Sequence, residues 1–118
     1  MNRVIGIGNA LTDMLVNLKT DSVLERFDLP KGSMNLVDTR LQTDISKSVA
    51  GLPYSLSLGG SAGNTIRAMA QLGCKVGFIG KVGQDTTGDF FVQALENLKV
   101  APVVFRGKER SGKCVSLI

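Results

Sequence analysis

Short apolar segments alternate with segments of helical periodicity along most of the chain, and this alternation limits the fold more than any other feature of the sequence. Strands are predicted at Val4–Gly8, Met14–Lys19, Ser33–Val37, Tyr54–Leu58, Lys75–Ile79, Val100–Phe105 and Cys114–Ile118. The apolar spacing of the segments between them is typical of helices. Strands that alternate with helices indicate an α/β layered fold.

Length and charge limit the classes of function. With 118 residues and 43% hydrophobic content, the chain can form one domain or part of one. The formal charge is +4, but +3 of it comes from the segment 106–113, which has four basic residues and one acidic residue. We interpret this segment as the solvated tip of a hairpin. Since aromatic residues make up only 5% of the chain, there is no surface for base stacking, and no nucleic-acid partner is expected.

The two cysteines, Cys74 and Cys114, are predicted to be free thiols in a reducing compartment. The chain has no histidine, so a zinc site of cysteines and histidines is not expected. The N-terminus lacks the apolar segment of a signal peptide, and no apolar run approaches the roughly 20 residues of a membrane span. We therefore expect a cytoplasmic protein with no membrane partner.

The candidate functional element is a glycine-rich turn that leads into a helix at residues 59–73. Gly59, Gly60 and Gly63 lack Cβ atoms and let a ligand approach the backbone N–H groups. Asn64 adds a side-chain donor and acceptor at the mouth of the turn. On their own, these residues also suit a tight turn and a helix N-cap.

Two familiar phosphate-binding motifs do not account for the glycines. A Walker A motif needs Gly-Lys-Ser/Thr, but the Gly-Lys pairs at positions 80, 107 and 112 continue with Val, Glu and Cys. A dinucleotide fingerprint that begins at Gly6 and Gly8 would need a third glycine at position 11, which is Leu. The turn therefore needs another interpretation.

Taken together, the glycine positions resemble the first signature of the ribokinase-like, or phosphofructokinase-B-type, carbohydrate and nucleoside kinases. The matching positions are Gly59, Gly60, Ala62, Asn64, Gly73 and Gly83. The segment 80–88 also resembles the family's Gly-x-x-Gly-x-Asp-x-x-Gly segment, in which Asp85 is expected to cap the following helix. The resemblance implies the N-terminal part of a three-layer αβα fold with a small β-sheet lid.

Within this family, three features are closer to adenosine kinases than to sugar kinases. They are Ile66 two residues after Asn64, the segment 8–13, and the segment 111–114. Lys113 departs from the adenosine kinase pattern. Fructose or ribose therefore stays open as the alternative acceptor.

The resemblance also implies which residues bind the acceptor. Asp13 would anchor the sugar hydroxyls, and Gly59, Gly60 and Asn64 would bind the sugar, with Ser61 lining the same pocket. Asn9 and Leu11 match residues that flank the nucleoside. Met34, Leu36 and Cys114 match residues of the lid that covers it, and packing within the lid is an equally good interpretation for these three.

The lid strands are expected near residues 14–19, 33–37, 100–105 and 114–118, and they could also form a homodimer interface. The chain ends within an apolar strand pattern, so we expect residues 1–118 to be the N-terminal portion of a single kinase domain. The resemblance implies that ATP and Mg²⁺ are bound mainly by a C-terminal half absent from this chain. That half would also supply the catalytic base, so the chain alone is expected to be inactive. The alternative is a non-catalytic sugar-binding or oligomerising module.

Overall fold

The computed structural model describes residues 2–118. In chain order its elements are β1 (Val4–Ile7), β2 (Leu11–Val16), α1 (Ser22–Arg26), α2 (Thr39–Ser48), β3 (Tyr54–Gly59), α3 (Ser61–Gln71), β4 (Val76–Gly83), α4 (Thr86–Asn97), β5 (Ala101–Gly107) and β6 (Gly112–Leu117). The α/β character predicted from the alternating pattern is confirmed.

The chain divides into two compact units. The first comprises the chain up to Met14 together with Leu56–Ser116, and the second comprises Leu15–Ser55 and Leu117–Ile118. In the second unit, Val16, Ile45 and Val49 are buried. Residues that follow β2 and β6 are joined by a backbone hydrogen bond, in which Leu18 N donates to Ile118 O at 2.6 Å.

The first unit contains a parallel sheet with strand order β1-β4-β5. Val4 of β1 pairs with Val76 of β4, and Gly77 of β4 pairs with Ala101 of β5. Helix α4 connects β4 to β5, because two adjacent parallel strands need a crossover connection. The carboxyl ends of all three strands therefore lie at the same edge.

One face of this parallel sheet carries the hydrophobic core. Helices α3 and α4 pack on it, and the rings of Phe78 and Phe91 lie 5.4 Å apart between their centroids. Gly6 leaves room for Ile66, since a Cβ built on Gly6 would lie 2.6 Å from Ile66 Cγ1. On the other face, Ile7 is 73% exposed and Phe105 is 61% exposed.

A second sheet has the strand order β3-β2-β6. The strand predicted near 14–19 begins earlier, at Leu11, and the strand predicted near 114–118 begins at Gly112. The assignment of residues 100–105 to the lid is wrong, because β5 pairs with β4 in the parallel sheet. The segment 106–113 therefore comprises the end of β5, a connection over residues 108–111 and the start of β6, and because these strands belong to different sheets it is not the tip of a hairpin.

The strand predicted at Ser33–Val37 is also wrong, since these residues have no regular secondary structure. Met34 and Leu36 alternate as in a strand, but they are 94% and 104% exposed. The backbone instead turns where Ser33 Oγ donates to Pro30 O at 2.5 Å and Asn35 Nδ2 donates to Ser33 Oγ at 3.0 Å. A strand needs a neighbour for its backbone groups, which apolar alternation alone does not supply.

The longest helix in residues 2–118 is α4, with 12 residues. None of the helices in this range has the length and apolarity needed to cross a membrane.

Candidate functional site

Asp13 lies directly against the glycine turn. It is half-buried on β2, and its carboxyl group packs over the Cα atom of Gly59 at the end of β3. A Cβ built on Gly59 would lie 2.6 Å from Asp13 Cγ, so a side chain there would displace the carboxyl group. The glycine therefore allows a carboxylate to sit at the turn.

Gly60 brings the segment before β2 to the same place. Its φ of 79° and ψ of 153° lie in a region that essentially only glycine occupies. A Cβ built on Gly60 would lie 2.9 Å from Asn9 O and 3.8 Å from Leu11 Cβ. The structure thus gathers Asn9, Leu11, Asp13, Gly59 and Gly60 around one turn.

Helix α3 begins at this turn with no side-chain cap. Gly60 is its N-cap, and Asn64 N makes the first helical hydrogen bond, to Gly60 O at 2.9 Å. The N–H groups of the first turn have no acceptor within the helix, so they can bind oxygen atoms of a ligand. Ser61 and Asn64 are both exposed at this helix end.

Arg67, which the sequence reasoning did not single out, bonds to both sides of the turn. Its Nη2 donates to Asn64 Oδ1 at 3.0 Å, and its Nη1 donates to Leu58 O at 3.4 Å. Its position three residues after Asn64 is the signal in the sequence, because residues i and i+3 are neighbours on a helix surface.

Strand β6 reaches the same region through Gly112. A Cβ built there would lie 2.6 Å from Leu11 Cδ2 and 3.5 Å from Ala10 O. Cys114, two residues further along β6, is exposed, and both cysteines are free thiols. Met34 and Leu36 belong to the second unit and are exposed there.

Ile66 makes its contacts in the core. It is 1% exposed and fills the space above Gly6. Ile66 is one of the features that resemble adenosine kinases, but in this chain its side chain packs in the core and is not exposed at the surface of the turn.

A second glycine-rich turn, at the start of α4, is held by Asp85. The carboxylate accepts from Gly88 N at 2.8 Å, which confirms the predicted helix cap. It also accepts from Ser111 N at 2.9 Å and from Ser111 Oγ at 2.6 Å. Gly83 N donates to Ser111 Oγ at 2.8 Å, so the turn after β4 is fixed to the segment before β6.

These contacts change the acidity of Asp85. Burial, the largest single influence, raises the pKa, but the hydrogen bonds from Ser111 and Gly88, together with the charge of Arg110, outweigh it. The pKa of Asp85 therefore lies below its usual value, and the carboxylate is ionised at neutral pH.

The basic segment 106–113 is partly structural, which corrects its interpretation as a solvated tip. Arg106 Nη1 donates to Gly83 O at 2.8 Å, and Nη2 pairs with Asp89 Oδ1 at 2.8 Å. Sequence reasoning missed this role because the partners lie 17 and 23 residues away.

An open cavity of about 580 Å³ lies at the opposite, amino-terminal edge of the parallel sheet. Arg3, Lys75 and Lys99 are among its lining residues, and none of the predicted site residues is. Within residues 2–118, no group of three or more Cys, Asp or Glu side chains could hold a metal ion. The candidate site is the turn at Gly59 and Gly60, where predicted site residues meet.

Residues 32–118 match the pfkB family carbohydrate kinases. A 5-dehydro-2-deoxygluconokinase of Clostridium botulinum is 33% identical over 82 residues, which are 70% of this chain and 23% of that protein. The chain thus matches less than a quarter of the length of this curated relative.

Among solved structures, the adenosine kinase of Trypanosoma brucei brucei superposes with a TM-score of 0.88 at 25% identity, covering 98% of this chain and 37% of that chain. The adenosine kinase of Sinorhizobium meliloti superposes with a TM-score of 0.77 at 29% identity, covering 98% of this chain and 35% of that one. Nearly the whole chain thus corresponds to about a third of each of these proteins.

Proposed function

Because the chain belongs to the pfkB family of carbohydrate kinases, as its glycine motifs indicated, we propose that it forms the acceptor-binding part of an ATP-dependent kinase. The reaction is phosphorylation of a primary hydroxyl group of a nucleoside or a sugar. The two adenosine kinase structures also confirm the ribokinase-like α/β fold.

The observation that carries this proposal is the carboxyl group of Asp13 placed over Gly59. An ionised carboxylate only accepts hydrogen bonds, so it suits a group that presents hydroxyl donors. Two vicinal hydroxyls of a ribose or a hexose can both donate to it. Asn64 and the uncapped N–H groups of α3 then bind hydroxyl oxygens from the other side.

A nucleoside is the first candidate for the acceptor. The segments 8–13 and 111–114 resemble adenosine kinases, and both lie at the turn through Leu11 and Gly112. Carbohydrates are the second candidate, favoured by the match to a 5-dehydro-2-deoxygluconokinase. Fructose and ribose belong to this second group.

In this proposal, ATP and Mg²⁺ are bound by residues outside this chain, which also supply the base that removes the proton of the acceptor hydroxyl. The chain itself binds and orients the acceptor, with Asn9 and Leu11 at its flank and Ser61 in the pocket wall. Cys114, on β6, lines the acceptor as well, and exclusion of water from the bound acceptor prevents water from competing for the phosphoryl group. The roles of Met34 and Leu36 rest on the family resemblance alone. We further propose a cytoplasmic kinase that can pair through the strands of its second sheet.

The decisive experiment uses the intact protein that contains this chain, with ATP and Mg²⁺. Adenosine, ribose, fructose and 5-dehydro-2-deoxygluconate are compared as acceptors by their kcat/KM. The Asp13→Ala variant should lose about 100-fold in kcat/KM for the true acceptor, since two hydrogen bonds to a charged group are lost. Asp44→Ala, which removes an exposed carboxylate on α2, is the matched control and should behave as wild type.

Two results would contradict the proposal. One is an unchanged acceptor KM and kcat in the Asp13→Ala variant, which would show that Asp13 does not anchor the sugar. The other is phosphorylation by residues 1–118 alone, which would place catalysis in this chain. Acceptor binding without any transfer by the intact protein would favour the alternative, a non-catalytic sugar-binding module.

A further inference from the structure

The guanidinium group of Arg67 links the end of strand β3 to the first turn of helix α3. It donates to the carbonyl of Leu58, the residue before the two glycines, and to the side chain of Asn64 after them. Leu58 is 3% exposed, so its position is fixed by the core. The side chain of Arg67 thus bonds to the chain both before and after the Gly59–Gly60 turn.

The chemistry of these groups fixes the orientation of the Asn64 amide. Arginine has only hydrogen-bond donors, so only the oxygen of the amide can face it. In the described chain, Nδ2 of Asn64 makes no hydrogen bond, and its side chain bonds through Oδ1 alone. The NH₂ group is left to bind a ligand.

From this geometry we infer that Arg67 is a positioning residue for the acceptor: it holds Asn64 so that the amide presents donors to the pocket. Asp13 at the same turn offers only acceptors, so the two side chains are complementary to the two ends of a diol. One hydroxyl donates to the carboxylate, and a neighbouring hydroxyl oxygen accepts from the amide. This inference rests on the proposed function, and Arg67 itself need not contact the acceptor.

A lysine at this position cannot replace the arginine fully. The guanidinium has a planar fork that reaches two acceptors at once, whereas an ammonium group is a single point of charge. Within residues 2–118, Arg67 forms no salt bridge, so its hydrogen bonds to Asn64 and Leu58 are its defined polar contacts.

The kinetic test compares Arg67→Met and Arg67→Lys in the intact protein. Arg67→Met should raise the acceptor KM by up to about tenfold, the effect of one lost hydrogen bond between the neutral Asn64 amide and an acceptor hydroxyl, and leave the KM for ATP unchanged. Arg67→Lys should recover part of this loss. Arg40→Met is the matched control, because Arg40 is an exposed arginine of α2.

A second variant separates orientation from bond strength. Asn64→Asp would pair with Arg67 through a full charge but would have no NH₂ group to donate. If the donor is what the acceptor needs, this variant should bind the acceptor as weakly as Arg67→Met or more weakly. Acceptor affinity at the wild-type level in Asn64→Asp would overturn the inference.

The direct test follows the Asn64 side-chain amide of the intact protein by ¹⁵N–¹H NMR, with asparagine-selective labelling and without ligand or nucleotide. In Arg67→Met, the two amide protons should shift and exchange faster, whereas Arg40→Met should leave them unchanged. Identical Asn64 signals in Arg67→Met and wild type would reject the positioning role, whatever the acceptor. Absence of phosphorylation with every acceptor would instead reject the proposed function, and the acceptor role of Arg67 with it.

Discussion

The chain contains two glycine-rich turns that each lead from a strand into a helix, yet the two differ in how their polar groups are satisfied. At the start of α4, Asp85 caps the helix and binds Ser111. At the start of α3, the N-cap is Gly60, and no side chain makes a capping hydrogen bond. The same local sequence type therefore makes a helix start closed by a side chain in one place and an uncapped helix start in the other.

What decides between the two outcomes is the residue at the N-cap. A carboxylate at position 85 accepts from the N–H of Gly88 and already has Ser111 as a second partner, so this helix start is closed by side-chain hydrogen bonds. At Gly60 the backbone conformation excludes other residues, and the nearest carboxylate, Asp13, comes from another strand and faces the turn. Three experiments test this contrast.

The largest effect is expected when the closed turn is opened. Asp85→Ala removes three hydrogen bonds and leaves the N–H of the buried Gly88 without its acceptor. The free energy of unfolding should fall by about 3–4 kcal/mol, as measured by urea denaturation. Asp89→Ala breaks only the exposed pair with Arg106 and should cost less than about 1 kcal/mol. Equal losses in the two variants would show that the joint is not closed by Asp85.

The next effect is expected when a side chain is forced into the open turn. Gly60→Ala places a methyl group 2.9 Å from Asn9 O in a backbone region that alanine avoids. The free energy of unfolding should fall by about 2–3 kcal/mol, and acceptor binding should be lost. Gly73→Ala is the matched control, since Gly73 also has a positive φ, of 87°, but has no atom within 4 Å of the added methyl group. It should cost about 1 kcal/mol and leave acceptor binding intact; equal acceptor binding by both variants would contradict the contrast.

The smallest effect is a pH dependence that belongs to the closed turn alone. The pKa of Asp85 is lowered in the folded state, so the carboxylate stabilises the fold above the pKa of the unfolded chain. This contribution should disappear as the pH falls from about 4 through the lower folded pKa. The stability difference between wild type and Asp85→Asn should therefore be constant near neutral pH and shrink in acid. A stability difference between the two proteins that grows in acid would show that folding raises the pKa of Asp85 instead of lowering it.

The sequence predicted the parts of the site that depend on local spacing. Gly59, Gly60 and Asn64 could be found because their conformational and hydrogen-bonding properties act over a few residues. Contacts between distant segments could not be found in this way: Ser111 lies 26 residues from Asp85. The roles of the ten predicted acceptor residues stay a prediction, although seven of them lie at the turn or in the first turn of α3.

The errors in the fold have the same origin. Residues 100–105 have the pattern of a strand, and they are one, but their pattern does not say which sheet they join. The predicted strand 33–37 fails because Met34 and Leu36 have no neighbouring strand to pair with, and the serine at position 33 favours a local turn. Alternation predicts a strand only where a partner is available.

The contact between Gly6 and Ile66 also affects how related sequences are to be compared and redesigned. Because the side chain at position 66 occupies the space that a Cβ at position 6 would need, the two positions should covary in size. A smaller residue at 66 should be accompanied by a larger one at 6, whatever the acceptor. A substrate class assigned from position 66 alone would therefore depend on helix packing and not on the acceptor. A mutant library should vary positions 6 and 66 together.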